Sequence, residues 1–276
     1  MKLLRNKGLV LLVISFLLSG LLVGCSSPAT EPPTKDVLKA ESPAEPTEIT
    51  ISAAASLKDA IEAIKPLYES KNNQVKLVLN YGSSGTLQQQ IEQGSPVDLF
   101  ISAGKKQMDA LEEKNLINKD SRKDLLGNEL VLIVGKDNNT ISGFPDLAQA
   151  QVKHIGIGNA ESVPAGKYAT EALTSMKLYD VLKPKFVEAK DVRQVLSFVE
   201  TGNAEAGFVY ESDTKVSDKI KIAAIAPADT HKPIVYPAAI IADSKNSALA
   251  KDFLDYLRSD EAMQLFTQYG FKQINK

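Results

Sequence analysis

The chain has 276 residues, with 32 Lys and Arg against 34 Asp and Glu, two histidines and one cysteine, for a formal net charge of −2. No basic block stands out of that balance, which argues against nucleic-acid binding, a function that needs clustered cations to neutralise phosphates. An anionic ligand would have to be held by local groups, since the overall field does not favour it.

Residues 1–24 read as a signal peptide. Lys2, Arg5 and Lys7 precede an apolar run from Leu9 to Val23, which at about 15 residues is too short for a full membrane span. The only cysteine, Cys25, follows at once in "LVGC", a stretch that resembles the lipobox at which bacterial lipoproteins are cut and acylated. Cys25 is therefore the expected lipidation site. Residues 25–47 are rich in Pro, Ser, Thr and Glu and poor in large apolar side chains, so they cannot bury enough surface to offset their ordering entropy and read as a flexible tether. Without the leader the chain carries 29 basic against 34 acidic residues. Folded sequence is expected from about Glu48, leaving about 230 residues, enough for one large or two medium α/β domains.

From there, short β-branched segments alternate with stretches of helical period, the pattern of parallel sheets covered by helices. "EITISAAAS" reads as a strand leading into a helix with Leu57, Ala60, Ile61 and Ile64 on one face. "QVKLVLNY" and "VDLFISAG" are the next strands, each followed by a helix, the first opening at "YGSSGTLQQQIEQG". "NELVLIVGKDN", "VKHIGIGNA", "PKFVEAK" and "EAGFVYES" form a second unit, with helices expected over 165–178 and 192–200. "IKIAAIAP" and "VYPAAIIADS" follow, and Pro237 suggests an edge or crossover place for the latter. One amphipathic helix is expected to close the chain, from Ser247 to near Phe271. The fold class is thus α/β, as two lobes joined by extended crossovers: 48–126 with about 243–276 in lobe I, and about 127–242 in lobe II.

Several strand–helix junctions share one chemistry. Ser56 ends "AAAS", Ser83 and Ser84 open the helix after "NYG", Pro164, Ala165 and Gly166 open the next, and Asp191 and Val192 another. Small residues let the backbone approach a ligand closely, and helix starts present free N–H groups and the positive end of the helix dipole. Each serine has an equally ordinary role as a helix cap, and Asp191 reads as a cap, since a carboxylate would repel an anion. Enzyme chemistry finds no support. "GSSG" lacks the spacing of a nucleophile elbow, His154 and His231 stand beside no nucleophile, and neither a local cluster of metal ligands nor a phosphate loop occurs.

Taken in order, "AAASLKDA", "YGSSGTLQQQIEQGSPVDLFISA", "LLGNELVLIV", "SVPAGKYATEAL", "KDVRQVLSFVE", "GFVYESDT" and "QYGF" resemble the molybdate-binding proteins of ABC importers, the ModA family, from about Thr50 to Phe271. The resemblance implies the two-lobed periplasmic-binding-protein fold of type II, each lobe a mainly parallel sheet flanked by helices, with the ligand in the cleft between them and delivered to a membrane permease. It implies ligand contacts from Ser56, Ser84, Ala165, Val192 and Tyr210, with Ser83 the neighbouring alternative to Ser84. Hydroxyl donors would come from the serines and Tyr210, and backbone N–H groups from Ala165 and Val192. The ligand would be molybdate or tungstate, with sulfate or another tetrahedral oxyanion the alternative. No cofactor and no direct cation ligand is expected, and the protein is expected to act as a monomer, anchored by lipid on the extracytoplasmic face of the cell membrane, or else in a periplasm.

Overall fold

The computed structural model describes residues 45–274. The expected signal peptide 1–24, Cys25 and nearly all of the tether lie outside the described residues.

The chain first runs β1 (Thr47–Ala54), α1 (Lys58–Lys71), β2 (Val75–Gly82), α2 (Ser84–Glu92), β3 (Leu99–Ile101), α3 (Lys105–Glu113) and β4 (Lys123–Gly127). It crosses over to β5 (Leu130–Gly135), β6 (Ile155–Gly158), α4 (Pro164–Ser175), α5 (Tyr179–Leu182), β7 (Phe186–Ala189), α6 (Val192–Glu200), β8 (Ala206–Tyr210), α7 (Glu211–Thr214) and β9 (Ile220–Ile225). It then returns as β10 (Val235–Ile240), α8 (Ser247–Leu257), α9 (Asp260–Gln268) and β11 (Lys272–Gln273). Two sheets result, ordered β11-β4-β10-β3-β1-β2 and β7-β6-β8-β5-β9. This is the two-lobed α/β fold expected from the sequence.

Within each sheet three strands are parallel, β2-β1-β3 in the first and β7-β6-β8 in the second, and the strands next to the crossovers join antiparallel. The parallel strands end where their helices begin, which turns the helix N-termini of both lobes to one level. Burial explains the choice of elements. Leu130 to Val134 of β5 are all buried, as suits a strand covered on both faces. In α6, Val192, Val195, Leu196 and Val199 are buried at helical spacing, giving that helix a single apolar stripe.

Three features differ from the sequence reading. Val235–Ile240 was placed in lobe II, yet β10 pairs with β3 and β4 in the first sheet. Pro237 is therefore on an inner strand, not an edge; the register shifts between Tyr236 and Pro237, so the missing N–H falls at the irregularity, where a ladder bond is lost anyway. The closing helix is two helices. Ser259 breaks it and caps α9 by accepting from the Ala262 N–H at 3.3 Å. The short strand β4 was not read at all, because its sequence KDLLG begins with two charges and shows no alternation.

The start of α4 is pressed against the end of β6. A Cβ on Gly166 would lie 1.8 Å from the carbonyl oxygen of Gly158, so only glycine allows this approach. We expect Gly166→Ala to lower the unfolding free energy by about 1–3 kcal/mol in urea titration; an unchanged midpoint would mean that α4 can retreat from β6 without loss.

Candidate functional site

Four helical starts and one strand end meet between the lobes. Ser56 lies in a short 3-10 turn leading into α1, Ser84 is the first residue of α2, Ala165 the second of α4, Val192 the first of α6, and Tyr210 the last of β8. All five line one small cavity, together with Ala54, Ala55, Gly82, Ser83 and Ala103 from the first lobe and Val163 and Pro164 from the second. The structure thus brings together all five residues expected as ligand contacts. The free space is about 10 Å³, room for about one water molecule. Even a compact ion of several atoms enters only as the walls give way.

No charged side chain lines the cavity. Its polar groups are hydroxyls and backbone amides, and helix geometry leaves the N–H groups of Ser84, Ala165 and Val192 without an acceptor in their own helices. The serines divide the labour that the sequence left open. Ser83 is the cap of α2, its Oγ accepting from the Thr86 N–H at 3.2 Å. Ser84 is not a cap: its Oγ accepts from the Ala103 N–H at 2.9 Å. A backbone N–H can only donate, so this bond leaves the Ser84 proton uncommitted, and Ser84 is among the residues that line the cavity.

Two contacts carry the lobes together at this level. The Gly85 N–H donates to the Ser162 carbonyl at 2.8 Å, and the Tyr210 phenol donates to the Ala103 carbonyl at 3.4 Å, a long bond that occupies this carbonyl. Tyr210 is fully buried, which holds its pKa well above the usual value and keeps the proton on the phenol.

Beside the cavity, Arg193 of α6 reaches across to the other lobe. Its Nη2 lies 2.7 Å from Asp59 Oδ2 and donates to the Ser56 carbonyl at 3.2 Å, while Nε lies 2.8 Å from Asp213 Oδ1. The two carboxylate contacts are at ion-pair distance but poorly aimed as hydrogen bonds. Asp213 accepts a further bond from the Tyr210 N–H at 3.0 Å. It is wholly buried, and desolvation pushes its pKa up to about 6 against the opposing pull of Arg193 and of that N–H.

Sequence reasoning missed Arg193 and Asp213, and also Asn128 and Tyr236 behind the cavity. Arg193 follows Val192 directly and Asp213 stands three residues after Tyr210, so proximity to the expected contacts was the available signal. A larger hollow of about 680 Å³ lies along α3 and α4. Lys105, Lys106, Lys167 and Lys232 share it with Asp109, Glu113 and Glu171, a mixed and open surface that does not enclose a small ion. Among the described residues no group of three or more His, Cys, Asp or Glu is placed to hold a metal cation, and no helix is long and apolar enough to cross a membrane.

The model of the family described as bacterial extracellular solute-binding protein matches residues 49–272. Over 224 residues the chain is 49% identical to YvgL of Bacillus subtilis (strain 168), provisionally named an ABC transporter substrate-binding lipoprotein, a match that covers 81% of this chain and 85% of that protein. It is 41% identical over 230 residues to the molybdate-binding protein ModA of Haemophilus influenzae, covering 81% and 89%. Among solved structures it is similar to the substrate-binding domain of a provisionally named molybdenum ABC transporter from Clostridium difficile, with 52% identity, a TM-score of 0.66, and coverage of 83% and 99%.

The Asp213 carboxylate generates a pH prediction. The folded chain takes up this proton near pH 6, whereas an unfolded aspartate does so near 3.8, so between those values the folded state binds more protons. Lowering the pH through that window therefore favours folding through this group. We expect the unfolding free energy of the parent protein to rise relative to that of Asp213→Asn as pH falls from about 7 to about 4 in urea titrations. A difference that does not change with pH would mean that Asp213 titrates as an ordinary aspartate.

Proposed function

The chain belongs to the bacterial extracellular solute-binding proteins, in the ModA family, and from that premise we propose that it binds molybdate, and equally tungstate, in the cavity between its lobes and delivers it to the permease of an ABC importer. It is an extracytoplasmic substrate-binding protein of the ABC-transporter type, and proteins of this family bind without turnover, so it is not an enzyme. The observation that carries the ligand assignment is the convergence of Ser56, Ser84, Ala165, Val192 and Tyr210 from both lobes on one small cavity with no charged lining.

The chemistry supports this reading. Molybdate at neutral pH is a compact tetrahedral dianion that only accepts hydrogen bonds. Oriented N–H and O–H groups in a dry cavity satisfy it without a cation, each bond strengthened by the ligand's charge. Tungstate has nearly the same shape and charge and is accepted on the same terms. Hydrogen phosphate brings a proton of its own, which meets a wall of donors and finds no acceptor. Sulfate is also fully deprotonated, so any discrimination against it rests on size alone. Attachment through a lipid on Cys25 agrees with the role, since it would keep the carrier near the permease.

Two measurements test the reading. Thermal unfolding of the chain from residue 45 onward, at about a thousand times the dissociation constant, is expected to gain about 4 kcal/mol with molybdate or tungstate and nothing with phosphate. A gain with sulfate instead would move the assignment to that anion, and no gain with any would leave the serines as structural. In calorimetric titration, Ser84→Ala is expected to weaken molybdate binding by about 1–3 kcal/mol, the range for a bond to a charged partner; full affinity in the variant would remove Ser84 from the site.

A further inference from the structure

Behind Ser56 lies a buried chain of hydrogen bonds whose direction can be worked out. Ser56 Oγ and Tyr236 Oη are 2.9 Å apart, and from that pair alone either could donate. Asn128 removes the ambiguity. The Glu129 N–H donates to Asn128 Oδ1 at 2.9 Å, and because a backbone amide can only donate, this end of the side chain must be the oxygen. The other end is then the NH2 group, and its two protons go to Ser212 Oγ at 2.9 Å and Tyr236 Oη at 3.2 Å. Tyr236 is wholly buried and receives a proton from Asn128, so its own proton needs an acceptor, and Ser56 Oγ is the one within reach. Ser56 thus accepts from behind and keeps its own proton for the cavity that it lines.

We propose that Asn128 and Tyr236 are specificity-determining positioning residues: they order the protons of a relay that holds the Ser56 hydroxyl as a donor towards the bound oxyanion. Were the relay to run the other way, Ser56 would spend its proton on Tyr236 and present only lone pairs to the cavity, which repel a dianion and welcome a protonated one. Ser84 reaches the same polarity more simply, through the Ala103 N–H. The relay also has a location of consequence. Asn128 stands in the crossover from β4 to β5, and Tyr236 in β10 just after the return crossover, so the donor state of Ser56 is set where the chain passes between the lobes.

The inference rests on the oxyanion reading of the cavity, and its test separates the two. Molybdate affinity is measured by titration calorimetry for the parent chain, Tyr236→Phe, Ser56→Ala and the double variant. Without its partner the Ser56 hydroxyl is spread over roughly three staggered orientations and loses polarisation, so Tyr236→Phe is expected to weaken binding about three- to tenfold. In the Ser56→Ala background the same change is expected to cost nothing, because Tyr236 acts through Ser56. Tyr236→Phe is also expected to narrow the preference for molybdate over phosphate. Equal losses in both backgrounds would overturn the relay while leaving the site in place, and absence of molybdate binding by the parent chain would overturn the site itself. Asn128→Asp provides a second route should Tyr236→Phe not fold. Its carboxylate accepts from Tyr236 and reverses the chain, so its loss of affinity should be larger with Ser56 present than with Ser56→Ala; an equal loss in both backgrounds would again overturn the relay.

Discussion

The unpaired N–H groups at the start of an α-helix are the constraint on which this structure turns. Any helix leaves them without intrahelical partners, and buried amides in that state are costly. Here the starts of α2, α4 and α6 come together from two different lobes; the side-chain caps of α2 and α6, Ser83 and Asp191, take only the Thr86 and Gln194 N–H groups, and α4 has no side-chain cap at all, so the amides of Ser84, Ala165 and Val192 are left uncapped. On the proposed reading, an anion with acceptors on every side would satisfy in one step what the helix starts leave unsatisfied, and a preference for acceptor-only ligands would follow from how helices begin. Close packing enforces the geometry: Gly166 against Gly158 fixes where α4 starts, and with it the position of Ala165.

The absence of a cation from the cavity does not leave the region electrically neutral. Arg193 sits one residue from Val192, yet its guanidinium is committed to Asp59, Asp213 and the Ser56 carbonyl. A single arginine between two carboxylates lends the cavity little net charge. Its contribution is positional, since it joins α6 of one lobe to α1 of the other and holds the turn that carries Ser56. The cost of that arrangement shows in Asp213, whose proton affinity is raised by burial in spite of its partner.

Much of this was legible in the sequence, and the parts that were not have physical reasons. Most strands and helices of both lobes announced themselves by apolar period, and the junctions at Ser56, Ser84, Ala165 and Val192 by their place at helix starts, whereas Tyr210, a large residue at a strand end, was legible only through the resemblance to the ModA family. Position along the chain distinguished poorly between Ser83 and Ser84, because capping and pointing into a cleft use the same hydroxyl; only the partner, Thr86 N–H for one and Ala103 N–H for the other, separates them. Pro237 misled because a proline's missing N–H usually marks an edge, and here a register shift absorbs it inside the sheet. Asn128, Ser212 and Tyr236 were invisible for a different reason. They lie far from Ser56 in sequence and become a unit only when both crossovers are folded, so no local pattern could connect them.

The bond between the Gly85 N–H and the Ser162 carbonyl joins the lobes using backbone atoms alone. On one side of it, a Cβ at position 85 would come within 2.6 Å of Ser162, so that position admits little besides glycine. On the other side the side chain of residue 162 takes no part, and replacing it leaves the donor and the acceptor in place. The clasp is therefore asymmetric with respect to mutation: the first lobe is held to one residue, while the facing loop is free to change its chemistry without losing its grip. In this chain, a change of side chain at position 162 therefore alters the surface of the second lobe while leaving both atoms of the clasp in place.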